Sequence, residues 1–114
     1  MPNKPKPDWV IPLGMDIECV PICKAMNKVP GILTVESCCG HGKTPFHIWF
    51  EAKSLTALPA LLYWFNSCHC GFSGWSVQVT TDCGCSSVTF MVEGPVGAYK
   101  EANHIAKLIE EDNP

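Results

Sequence analysis

The sequence predicts a two-layer α+β sandwich, a four-stranded and mostly antiparallel sheet with helices on one face, in the order α-β-β-α-β-β-α. Three observations carry this. Three segments alternate apolar and polar residues with period two, the mark of an antiparallel sheet with one covered face. Three others space their apolar residues by three and four, as helices do. A unit of helix, strand, Cys-Gly turn and strand occurs twice, which suggests an internal duplication.

The elements follow in chain order. Residues 1–15 carry four prolines and no periodicity, and are expected to form an extended arm laid on the domain through Trp9, Val10 and Ile11. The single domain then spans 16–114. Asp16 is a helix cap by residue type. Cys19, Ile22, Cys23 and Met26 share one helical face, and Pro21 confines the helix start to about Glu18. Val29-Pro30-Gly31 ends it.

Residues 32–37 are a β-branched strand, with Leu33 and Val35 expected to face the core. Residues 45–52 alternate: Phe46, Ile48, Phe50 and Ala52 on one face, His47, Trp49 and Glu51 on the other. Ser54 or Thr56 caps the next helix, whose apolar stripe is Leu55, Leu58, Leu61, Leu62 and Phe65. Trp75, Val77, Val79 and Thr81 alternate in the third strand, and Val88, Phe90 and Val92 in the fourth, across the turn Asp82-Cys83-Gly84-Cys85. The last helix presents Ala98, Ala102, Ile105 and Ile109.

Composition narrows the function. The net charge is −3, and all eight basic residues are lysine. Without arginine and with an acidic balance, the chain has no general electrostatic footprint for nucleic acid. No apolar run approaches the ~18 residues of a membrane span. The start has no apolar core of an export signal, so a reducing, cytoplasmic setting is expected. There, eight cysteines point to metal or redox chemistry rather than to a disulfide framework. Four Trp and five Phe in a chain of low charge favour a ligand groove or a homo-oligomer contact.

The motif that concentrates chemistry is Ser37-Cys38-Cys39-Gly40-His41-Gly42, two thiols and an imidazole in a glycine-flanked turn. The topology sends this turn, the start of the first helix and the segment Cys68-His69-Cys70 to one end of the sheet. It sends Cys83 and Cys85 to the other. Alternation directs Cys39 inward and Cys38 outward, so one of the two vicinal thiols is expected to ligate. The expected metal ligands are Cys38, His41, Cys68 and Cys70, with Zn²⁺ or a similar thiophilic ion as cofactor. His47, Trp49 and Glu36 are expected to bind a small ligand on the outer face, beside Gln78 and Met91, with Glu51 a further acid. The same residues allow two other readings. One is a thiol-based catalyst; the other is a structural protein whose aromatics make an oligomer contact.

The stretch from Asn27 to His41 resembles the helix-to-strand segment of the wybutosine-synthesising methyltransferases that act third in that tRNA pathway. The matching positions are Asn27, Thr34, Ser37, Cys38 and Gly40. That family implies S-adenosylmethionine-dependent methyl transfer to a tRNA base. His41 stands where the family has Arg, and Glu36 where it has Ser. What the resemblance implies here is a shared local fold and a functional loop. The Glu36–Gly42 run is also similar to a motif of small bacterial and phage proteins.

Overall fold

Four antiparallel strands form one open sheet in the computed structural model, which describes residues 9–53, 55–80 and 89–113. The strands are β1 (Ile32–Cys38), β2 (Phe46–Ala52), β3 (Ser76–Thr80) and β4 (Thr89–Gly94), in the order β1-β2-β4-β3. The helices are α1 (Val20–Met26), α2 (Leu58–Trp64), α3 (Ser67–Cys70) and α4 (Tyr99–Asp112). The α+β class is the one predicted. The order differs by one element, because the segment Cys68-His69-Cys70, expected to carry ligands but given no secondary structure, forms with Ser67 the single turn α3. The order is also that of two strand pairs whose second strands meet at the centre of the sheet, in keeping with the repeated unit.

The core lies on one sheet face. Phe46, Ile48, Phe50 and Val92 are fully or nearly fully buried there. Ile22, Cys23 and Met26 of α1 and Ala102, Ile105, Ala106 and Ile109 of α4 join the same core. Each large aliphatic side chain so buried contributes about 1.5–3 kcal/mol. A tight turn, Ile17–Cys19, precedes α1, so that Pro21 falls in the first turn, where its missing N–H costs nothing.

Four expectations are corrected. Leu33 and Val35 are exposed, and Ile32 is the buried residue of β1's start. A bulge between Thr34 and Glu36 changes the parity there. Beyond it Ser37 pairs with core-facing Ile48, and Cys38 pairs with His47 on the open face. Cys39 is thus buried and Cys38 half-buried, as expected, but through a bulge that alternation alone does not contain. Asp16 makes no side-chain cap bond to the turn it precedes. In α2, Leu62 is exposed, and Trp64 takes its place beside Leu61 and Phe65. In the arm, Trp9 packs against the core while Val10 and Ile11 stay exposed. The Cys83/Cys85 turn and Ser54 lie outside the described residues. Among the described residues, no helix is long and apolar enough to cross a membrane.

Candidate metal centre

The turn after β1 is built from three consecutive left-handed residues. Gly40 has φ 79°, His41 φ 52° and Gly42 φ 75°. Only the glycines adopt this conformation without a steric penalty; His41 carries one of about 1–2 kcal/mol. Gly40 is needed for space as well, since a Cβ there would lie 2.9 Å from the Pro45 carbonyl oxygen. The Cys39 thiol sulfur accepts the His41 amide at 3.4 Å and caps the turn.

This backbone places three different donors together. One ligand atom each from Asp16, Cys38 and His41 lies within 4.8 Å of the others. They come from the segment before α1, the end of β1 and the turn. His41 Nε2 is 3.9 Å from Asp16 Oδ2, and His41 Nδ1 is 3.7 Å from the Cys39 sulfur. The Gly40 amide donates to Cys38 Sγ at 3.4 Å. The Cys39 amide donates to Asp16 Oδ2 at 3.1 Å. That bond, with the Cys39 side chain beside it, holds the Asp16 carboxyl below its ordinary value, against a smaller opposing effect of burial. Asp16 is therefore a carboxylate at neutral pH.

The neighbouring thiols are of another kind. Burial pushes Cys19 up to about 12 and Cys23 up to about 11. Burial also raises the Cys39 thiol and, on α4, the Tyr99 phenol. These thiols stay protonated and act as small core residues. Cys38, half-buried at the open end of its strand, is the cysteine of this end that combines access with nearby donors.

The structure divides the four expected metal ligands. Cys38 and His41 come together, with Asp16 as the third donor. Cys68 and Cys70 stand outside this group. They lie on α3, which precedes β3, the edge strand opposite β1. Cys70 is buried and donates to the Phe72 carbonyl, while Cys68 is exposed beside the stacked rings of Tyr63 and His69. Asp16 was legible only as a cap. Its position at the start of the first helix, which topology sends to the Cys38 end, was the available signal.

The three expected small-ligand residues share the open face. His47 Nε2 meets Glu93 Oε1 at 3.0 Å, and the His47 ring stacks on Trp49 at 5.4 Å between centroids. Glu36 pairs with Trp49 across β1 and β2.

No protein family matches this chain, and no curated protein or solved structure matches it.

Proposed function

We propose that this domain binds a thiophilic divalent cation, Zn²⁺ by preference, through Asp16, Cys38 and His41. The observation that supports the reading is the approach of a carboxylate, a thiol and an imidazole to within 4.8 Å, the carboxylate from before α1 and the other two from the end of β1 and the turn after it. The charges suit the ion, since one carboxylate and one thiolate offset a divalent cation while the imidazole stays neutral. Nitrogen and sulfur donors of this mix favour zinc over the oxygen-seeking Mg²⁺ and Ca²⁺. Three protein donors leave a fourth position for water or a small ligand, as in zinc sites that polarise a bound molecule. The left-handed His41 supports the same reading, because strain of this kind gathers at ligand sites.

The test is metal stoichiometry by native mass spectrometry, on protein purified under reducing conditions without chelator. About one Zn²⁺ per chain is expected. Asp16→Asn, Cys38→Ser and His41→Ala should each weaken binding about tenfold or more in competition with a chromophoric chelator. Cys68→Ser should leave it unchanged. Cobalt in place of zinc should show a thiolate charge-transfer band that vanishes in Cys38→Ser. Protein that binds no metal, or a Cys38→Ser variant that binds as tightly as the parent, would overturn the assignment.

A further inference from the structure

The sheet face opposite the helices has a regular arrangement, and of its residues the candidate metal centre uses Cys38 alone among those in strand register. Strand register sets Glu36, Trp49, Met91 and Gln78 side by side across all four strands. The next row is Cys38, His47, Glu93 and Ser76, and on the other side Glu51 pairs with Leu33 and Thr89. Trp49 is therefore central. Glu36 stands directly opposite it on β1, Glu51 is two residues along its own strand, and Glu93 is diagonal on β4. Directly paired side chains have Cβ atoms about 5 Å apart and diagonal ones about 7–8 Å, within reach of an indole.

Three polar groups here, on Trp49, Glu36 and Glu51, lack partners that their counterparts elsewhere have. Trp64 donates its indole N–H to Asp112 at 2.7 Å, and Trp75 donates to Glu101 at 3.0 Å. Among the described residues the Trp49 indole N–H has no acceptor, and Glu36 and Glu51 have no hydrogen-bond or ion-pair partner. No lysine stands on these rows, and His47 is taken up by Glu93. Leu33 and Val35, 39% and 58% exposed, border the acids with apolar surface.

We propose that this face docks a basic segment of another protein, with one guanidinium or ammonium on the side of the Trp49 ring away from His47, between Glu36 and Glu51. An indole face attracts a cation, and unpaired carboxylates around it add charge complementarity. A second copy of the chain is disfavoured, because its own face would set carboxylate against carboxylate. Nucleic acid is repelled by the same charge. An open sheet face holds a small cation poorly. An extended segment adds contacts to Leu33 and Val35 that a small ion lacks.

The probe is a fluorescein-labelled peptide of alternating arginine and serine, followed by anisotropy against the full chain. Saturable one-to-one binding is expected, with amide shifts confined to β1, β2 and β4. Trp49→Ala should weaken it about fivefold or more. Glu36→Gln/Glu51→Gln, whose side chains hold no partner among the described residues, should weaken it similarly and flatten its salt dependence. This pair decides the matter if Trp49→Ala does not fold. Glu110→Gln/Glu111→Gln on α4 should leave binding unchanged. Three results would each refute the proposal: no saturation, equal loss in the α4 pair, or free arginine binding as tightly as the peptide.

Discussion

Gly94 illustrates how much one missing methyl group decides. A Cβ at this position would lie 2.5–2.7 Å from three ring atoms of Trp75. The ring has nowhere to go. It is 8% exposed, its centroid is 5.8 Å from those of both Phe46 and Phe65, and its N–H is bound to Glu101. Gly94→Ala should therefore destabilise the fold by about 1–3 kcal/mol, as overpacking does. Urea denaturation checks this, and an unchanged midpoint would mean that the indole does not rest on the Gly94 backbone. At the same scale, His41 and Cys38 were legible because glycines flank the one and a strand end exposes the other. Asp16 was hidden, because its partner Cys39 is 23 residues away and no local pattern records that contact.

Between elements, Asn27 ties the end of α1 to β1. Its amide nitrogen donates to the Cys23 carbonyl at 2.7 Å and to the Thr34 hydroxyl at 2.6 Å, and its oxygen accepts the Thr34 amide at 3.1 Å. The side chain is 3% exposed, so water cannot replace these bonds. Asn27→Ala should cost about 2–3 kcal/mol, since it strands the buried partners as well as losing the bonds. A double-mutant cycle with Thr34→Val should show coupling between the two positions, and additive losses would refute the link. Asn27 and Thr34 thus hold the strand that ends in the Cys38 turn. Helix faces were readable from spacing in α1 and α4. In α2 the stripe was misread at Leu62, because Trp64 and Leu62 differ by more than half a turn and only packing selects between them.

Across the whole molecule, pH acts at both ends of the scale. Cys19 and Cys23 have pKa values raised from 9.0 to about 12 and about 11. Below pH 9 folded and unfolded chains both hold these protons. Above it the unfolded chain releases them first, so stability falls as pH rises through 9 towards 11–12. The melting temperature of reduced protein should drop steeply over that range, and more gently in Cys19→Ala/Cys23→Ala. An equal slope in the variant would assign the alkaline loss to other groups. Asp16 works in the opposite sense. Its lowered value contributes stability above the ordinary carboxylate value of 3.8, and that contribution is lost as pH falls through the folded value.

Periodicity and turn chemistry alone determined the fold class, the strand pairs and the helix faces of α1 and α4. They did so because a strand or helix must turn its apolar residues to one side, and that need is written locally. They also marked the Cys38–His41 turn, since tight left-handed backbone calls for glycine. Tertiary structure decided the rest. The order β1-β2-β4-β3 sets β1 and β3 at opposite edges, and Cys68 and Cys70, on the helix before β3, stand outside the group that Cys38 joins. The bulge at Thr34/Glu36 chooses which of β1's side chains face the core. The carboxylate that completes the candidate metal centre arrives from before α1. Each of these is a contact between residues distant in the chain, set by how whole elements pack, and no window of the sequence contains it.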